Sequence, residues 1–472
     1  MFDGTEFRGA GHVIIELLAD YLDKNLHGQG NVLDWQPPQD AIRKWQQPLP
    51  AEATLTPAAF ISALRDDILA ATLHIHHPRN LGHQVAPPLP VAALCDLVAA
   101  LTNQAMAVYE TGPSATMLEN QVLQWMGELI GWKECAGVLT SGGAQANLTA
   151  LLAARQTHAG WDVWQQGVGA GAPLRILASE HAHYSVSRAA GIMGLGADAV
   201  VKVATDDQGR MEVAALQAAW QQCQAQGVKA FAVVATAGCT PTGSIDPLFA
   251  IGSFCRENNL WLHVDGAHGA SALLSSMHRS QLEGIELADS VVWDGHKLLY
   301  MPATVSAVLF REPKNSYAAF AQQASYLFQG NSESEEAWNV SYRTLECTKR
   351  MMGLKLWAAF SLYGVEKLGG LVDQVYATAR LLAQKLADTP DFELLMSPQT
   401  NIVCFRHRPT DNLADEALNK HQAALLKRLV ESGAFHLTQV KLENQLWLRT
   451  TIMNPLTVEE DLDVLLQKIR AS

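Results

Sequence analysis

The sequence predicts an α/β protein built on a mainly parallel sheet covered on both faces, and three observations carry that class. From about Ala92 to Phe310, short apolar and β-branched runs alternate with longer stretches of helical spacing. The runs are continuously apolar and lack in–out alternation, so both faces of the sheet are expected to be covered, as strand–helix–strand crossovers require. The chain has 472 residues, more than one hydrophobic core normally holds, so a large domain with smaller attachments is expected.

Taken in order, Gly11 to about Leu26 has helical spacing, Trp35–Pro57 is a Pro-rich connector, and a helix is expected from Pro57 to about Leu73. Residues 1–85 form an N-terminal helical segment too interrupted to be a domain of its own. It is expected to pack on a larger body such as a second subunit. Residues 86–350 form the large domain. Its strands are expected at Leu174–Ala178, Val200–Ala204, Ala230–Thr236, Leu260–Val264, Ser290–Trp293 and Ser306–Phe310, with helices at Glu212–Gln226 and Pro247–Asn258. Residues 326–342 are polar, acidic and aperiodic, which suits either a surface loop or an active-site lid. A long helix from Arg350 to about Leu386 opens a smaller α+β domain over 351–472.

Composition narrows the function. The net charge of −13, with Lys and Arg scattered, argues against a nucleic-acid partner. Seven cysteines without a C-x-x-C pair fit reduced thiols, and no ligand set for a metal stands out. His74, His76 and His77 lack an acidic or thiol partner at ligand spacing. No run approaches the about 18 apolar residues that span a bilayer, and residues 1–11 carry no apolar signal core. A cytoplasmic protein with no membrane partner is expected.

Five motifs fall at or just after strand ends, or open a helix. Ser141-Gly142-Gly143-Ala144 precedes a helix-favouring stretch, where backbone N–H groups and the helix N-terminus suit an anion; a plain helix start explains it equally well. The spacing is neither a Walker loop nor a dinucleotide fingerprint. Asp265 closes an apolar strand, as an N-cap or as the partner of a cationic ring nitrogen. Lys297, behind Asp294-Gly295-His296, sits where a merely solvated cation is unusual, and a desolvated lysine suits imine chemistry. His181 and His183 follow another strand, and Ala237-Gly238-Cys239-Thr240 a further one. Together they provide a phosphate cradle, an aromatic histidine, a hydroxyl, a buried acid and a lysine, the partners of a cofactor with phosphate, pyridine nitrogen and aldehyde.

The order of these motifs resembles the group II pyridoxal-phosphate amino acid decarboxylases, the family of glutamate, aromatic amino acid, cysteine sulfinate and 2,4-diaminobutyrate decarboxylases. The resemblance extends upstream to His77-Pro78-Arg79, Gly82-His83-Gln84 and Tyr109–Pro113. It extends downstream to Leu354–Trp357 and Leu448–Pro455, and so covers nearly the whole chain. It implies a fold-type-I transferase fold with a seven-stranded sheet, and a homodimer with active sites at the interface. It also implies pyridoxal phosphate as cofactor and CO2 release from an L-amino acid, small and polar or acidic, to give the amine. By the same resemblance Lys297 forms the imine, Asp265 pairs with the ring nitrogen and His183 stacks on the ring. Ser141, Gly142, Gly143 and Ala144 hold the phosphate with Ser290 and His296 nearby, Thr240 and Ala267 flank the ring, and His83 and Gln84 contact substrate.

Three departures stand against the pattern. Asp294 replaces a common Asn, as in the diaminobutyrate-like branch, and His268 replaces an aromatic residue. Counted without gaps, the family's loop tyrosine falls on Val340, between Trp338 and Tyr342. That tyrosine returns a proton to the substrate carbon, and members lacking it divert to oxidative deamination. Tyr342 is the candidate to serve in its place, with an aldehyde-forming reaction as the alternative outcome.

Overall fold

The six expected strands all form, and a seventh joins them. The computed structural model describes residues 3–320, 338–409 and 413–471. The strands of the main sheet are β1 (Ala136–Thr140), β2 (Leu174–Ser179), β3 (Val200–Val203), β4 (Lys229–Thr236), β5 (Trp261–Asp265), β6 (Ser290–Asp294) and β7 (Ser306–Phe310), in the order β1-β7-β6-β5-β4-β2-β3. Composition does not signal β1, a short run that opens on Ala-Gly directly before the glycine motif. The strands β2 to β6 pair in parallel, and β7 is antiparallel to both β6 and β1. The physical reason is length: residues 295–305, between β6 and β7, are too few for a crossover helix, so the chain must return antiparallel. The C-terminal ends of β1 to β6 therefore share one edge, where open α/β sheets place their ligands.

Alternate strand residues serve opposite layers. Val291 and Trp293 join one buried layer with Leu262 and Val264, while Val292 joins the other with Trp261 and Phe310. Each fully buried side chain of this size contributes about 1.5–3 kcal/mol of transfer free energy. The helices Val213–Ala225 and Leu248–Glu257 lie where their spacing places them.

Packing divides the chain into two units: residues 88–376 with 398–400, which hold the main sheet, and residues 1–87, 377–397 and 401–472. In the second unit β8 (Phe392–Leu394), β9 (Ile402–His407), β10 (Thr438–Leu442) and β11 (Gln445–Thr451) form an antiparallel sheet ordered β10-β11-β9-β8. The N-terminal segment is stitched to this unit's C-terminal part by Val32 N–H to Gly433 carbonyl (2.7 Å), Leu81 N–H to His436 carbonyl (2.9 Å) and Thr451 N–H to Leu81 carbonyl (2.8 Å).

Three local expectations change. The Pro-rich connector contains a helix, Pro38–Trp45, because proline at the first helical turn needs no N–H partner. The helix expected from Pro57 runs as α-helix only to Ala63 and continues in wider π turns over Leu64–Leu69. The long helix, Gly353–Ala387, is broken at Gly364, whose φ of 68° lies where a side chain would be strained. No described helix is long and apolar enough to cross a membrane.

Candidate active site

The glycine motif makes a cradle that side chains would fill. Gly142, at φ 144°, starts the helix Gly143–His158, and no side chain caps that start. Its first N–H groups therefore face outward with the helix's partial positive charge. A Cβ on Gly143 would sit 3.0 Å from Asp294 Oδ1, so glycine here lets the end of β6 approach the helix. An anion with several acceptor oxygens fits such a start.

Asp265 closes β5, and its carboxylate is held by the Ala267 N–H (3.2 Å) and the Asn147 side-chain amide (2.9 Å). Asn147 reaches it because the same helix lies over β5. The amide also donates to Ser185 Oγ (2.9 Å), so its carbonyl oxygen must face His263 Nε2, 2.9 Å away. His263 consequently carries its proton on Nε2 and accepts at Nδ1 from the Ser290 hydroxyl (2.8 Å), which accepts from the Trp261 indole N–H (2.9 Å). Burial pushes the His263 pKa down to about 4, so the ring is neutral near pH 7. Every donor in this chain has an acceptor, and its end is the carboxylate of Asp265.

The partners of Ser290 are thus internal ones. Placed at the start of β6 and fully buried, its hydroxyl is spent between Trp261 and His263, away from the strand end that carries Lys297. Through His263 and Asn147 it is linked to Asp265. Nothing local in the sequence marks Asn147 and His263 as partners. Replacing Asn147 by Ala would strand the His263 N–H and part of the Asp265 carboxylate. We expect a loss of about 2–4 kcal/mol of stability, read as a lower urea midpoint at unchanged m-value; a loss under about 0.5 kcal/mol would remove the network from the account.

His183 follows β2. Its Nδ1 accepts from the Ser185 hydroxyl (2.8 Å) and backbone N–H (3.3 Å), which leaves the proton on Nε2. Burial holds its pKa below the ordinary histidine value, against the pull of Asp265. Lys297 Nζ lies 3.2 Å from Asp294 Oδ2. Asp294 is buried and also accepts from the Ser306 hydroxyl, while His296 donates from Nδ1 to the Val305 carbonyl (2.9 Å) and sets Nε2 3.6 Å from Asp294. The common Asn at this position would donate to an anion; Asp294 instead serves as counter-ion to the lysine. The Asp294 N–H bonds the Ala267 carbonyl (3.2 Å), which ties the β5 end to the β6 end. Ala267 is buried and Thr240 half-buried in the turn after β4.

Part of the acidic stretch, residues 326–337, lies outside the described residues. Of its last residues Trp338 is exposed, and those after it are held against the body of the unit. Val340 is 3% exposed within the apolar layer that contains Val292, and Ser341 N–H bonds the Ala107 carbonyl (3.1 Å). The Asn339 side chain accepts from Tyr109 N–H (2.8 Å), and Tyr342 is half-buried. Glu346, unmarked by any local pattern, accepts from the Ser141 hydroxyl at 2.8 Å.

His83 and Gln84 belong to the other unit. There the His83 ring stands 5.6 Å from that of His436, which bonds Asn80 (2.9 Å) and is pushed to about pKa 4 by burial and by His83. The Gln84 amide nitrogen is buried with no hydrogen-bond partner among the described residues. Arg449, on β11, is also buried and lies near enough to His83 to disfavour its charged form. No group of three His, Cys, Asp or Glu residues suited to a metal occurs among the described residues.

A family model described as the pyridoxal-dependent decarboxylase conserved domain matches residues 38–408. Cysteine sulfinic acid decarboxylase of Rattus norvegicus is 33% identical over 408 residues, covering 83% of this chain and 81% of that protein. L-2,4-diaminobutyrate decarboxylase of Acinetobacter baumannii is 31% identical over 418 residues, covering 85% and 81%. The crystal structure of mouse CSAD in apo form superposes with a TM-score of 0.92 at 28% identity, covering 99% of each chain.

Proposed function

The chain belongs to the pyridoxal-dependent decarboxylase family, and from that premise we propose that it removes CO2 from a small polar or acidic L-amino acid and returns the amine. It is a pyridoxal-phosphate-dependent carboxy-lyase. The observation that supports the fuller reading is the placing of Asp265, Lys297, His183 and the glycine cradle on one edge of one sheet.

Bound there, pyridoxal phosphate supplies a protonated ring that accepts the electron pair freed when a bond to Cα breaks. Ser141, Gly142, Gly143 and Ala144 hold the phosphate end. Asp265, fixed by Asn147, keeps a proton on the ring nitrogen. Lys297 would be the point of attachment, with Asp294 at 3.2 Å holding its side chain in place. His183, its pKa held below the ordinary value by burial, would stack on the ring beside the carboxylate that leaves. Thr240 and Ala267 flank the ring, and His296 acts by holding Asp294.

A short polar substrate is favoured by relatives named for cysteine sulfinic acid and 2,4-diaminobutyrate. Gln84 supports the same reading, because its buried amide is a donor lacking an acceptor; His83 is its companion. Replacing Gln84 by Ala is expected to raise KM about 10-fold with kcat little changed, while an unchanged KM would remove it from substrate contact. A panel of L-amino acids assayed for CO2, amine and aldehyde tests the whole reading. Turnover of aromatic substrates alone would overturn it.

A second reading, oxidative deamination to an aldehyde, is favoured by one observation: Val340, at the counted position of the loop tyrosine, is committed to the core. Tyr342 then returns the proton in the decarboxylase reading. Its replacement by Phe is expected to cut amine formation about 100-fold and to divert product towards aldehyde with oxygen uptake. Aldehyde already dominating in the unaltered protein would decide for the second reading. The N-terminal segment 1–85 leaves Phe7, Val13, Ile15 and Leu18 exposed, which supports its packing on the second subunit of a cytoplasmic homodimer. In that reading residues 86–350 bind the cofactor and 351–472 form the smaller domain.

A further inference from the structure

The anion cradle already has a carboxylate on its donors. Glu346 Oε1 accepts the Ser141 hydroxyl (2.8 Å), its Oε2 accepts the Gln145 amide (2.5 Å), and the Thr344 hydroxyl also donates to it. Ser141 has one hydroxyl proton, so while Glu346 holds it no other anion can. Burial raises the Glu346 pKa, but the hydroxyls of Thr344 and Ser141, the residue's own N–H and Gln145 outweigh it and hold the group below the ordinary value. Near pH 7 it is ionised.

The charges around the cradle leave little to offset a phosphate. Lys349, the cation that feels Glu346, is fully buried and spends its ammonium on both Glu119 oxygens and the Leu139 carbonyl. Arg343 lies over the Tyr317 ring at 5.4 Å. On the other flank Asp294 touches Gly143 and pairs with Lys297. The cations Lys349, Arg343 and Lys297 thus face the carboxylates Glu346, Glu119 and Asp294 in equal number. An incoming dianion meets a balanced set, and its cheapest compensation is a proton on the carboxylate that competes for its donors.

We infer that Glu346 is a proton-operated gate on the phosphate cradle: ionised, it keeps Ser141 and Gln145 from an incoming phosphate, and protonated, it releases them. The inference rests on the reading that Ser141–Ala144 receive the phosphate. Cofactor loading then takes up a proton at Glu346, so affinity falls as pH rises. The sign is set by the bound state, in which the competing carboxylate carries a proton that it lacks in the free state.

The test uses the full chain stripped of cofactor and titrated with pyridoxal phosphate by tryptophan fluorescence from about pH 6 to about pH 8. Ionisation of the phosphate itself affects every variant alike, so the comparison between variants carries the result. Glu346→Gln keeps the shape without the charge; because Glu346 is ionised across this whole range, the variant is expected to bind tighter throughout, by a margin that widens about 10-fold for each pH unit. Equal affinity and equal pH slope in the two proteins would overturn the gate. Ser141→Ala separates the two claims. If it weakens binding while Glu346→Gln changes nothing, the gate fails and the cradle stands. If it leaves affinity unchanged, the cradle reading fails and the gate with it. Inorganic phosphate, added as competitor, should follow the same pH order.

Discussion

Lys297→Ala is expected to abolish covalent capture of pyridoxal phosphate and to cut CO2 release by at least about 10⁴-fold. The argument is geometric before it is chemical. Lys297 follows β6 at the edge where the parallel strands end, with its amine beside a buried acid and only 17% of its side chain exposed. Removing it also leaves Asp294, 3% exposed, without its cation. A loss of up to about 3 kcal/mol of stability is expected on that account, and this could be mistaken for the cause of inactivity. The double replacement Lys297→Ala with Asp294→Asn distinguishes the two, because it should recover stability and none of the chemistry. Borohydride reduction followed by peptide mass analysis gives the direct readout. A label retained on the Lys297→Ala chain would mean that another amine forms the bond.

Asp265→Asn should have the second largest effect, about 10³-fold in kcat. That figure is the about 4 kcal/mol expected when one partner of a buried charge pair is removed. The fold should tolerate the change at a small cost. Asn147 still finds an oxygen to donate to, the longer bond from the Ala267 N–H is lost because the new amide nitrogen cannot accept it, and the Trp261–Ser290–His263 chain behind is untouched. The expected result is therefore low kcat, faster cofactor loss and a nearly unchanged melting temperature. Activity within about 10-fold of the unaltered protein would show that a neutral partner serves the ring nitrogen equally well.

The parts of this protein that the sequence discloses are those whose cause is local. Strands β5 to β7 are almost wholly apolar because both faces are buried, and that pattern survives in the residue order, whereas β2 and the edge strand β3 each carry a cation, Arg175 and Lys202. Asp265 and Lys297 are visible because a charged residue directly behind a buried strand needs a reason. β1 escapes notice because a five-residue strand opening on Ala-Gly resembles the turn that follows it. The network behind Asp265 is silent in the sequence for another reason. Asn147, Ser185, His263 and Ser290 are ordinary polar residues, and only the register that sets His263 opposite Ser290 makes them partners. Glu346 is hidden in the same way, since Ser141 and Gln145 lie about 200 residues back in the chain. Val340 shows the converse. Counting positions placed it in a loop, whereas burial against the large unit's apolar layer decides where it stands.

One consequence follows from the helix Gly143–His158. Its first residues form the cradle, and Asn147, roughly one turn further on and about 6 Å along the axis, grips Asp265. A single rigid rod thus measures the span between the two ends of whatever lies below it. On the proposed reading of the site, that fixed rise sets the distance between the phosphate end and the ring end of the cofactor. Inserting one residue between Ala144 and Asn147 would turn the amide by about 100° and leave the cradle in place. Such a protein should still respond to phosphate while having lost its hold on the ring.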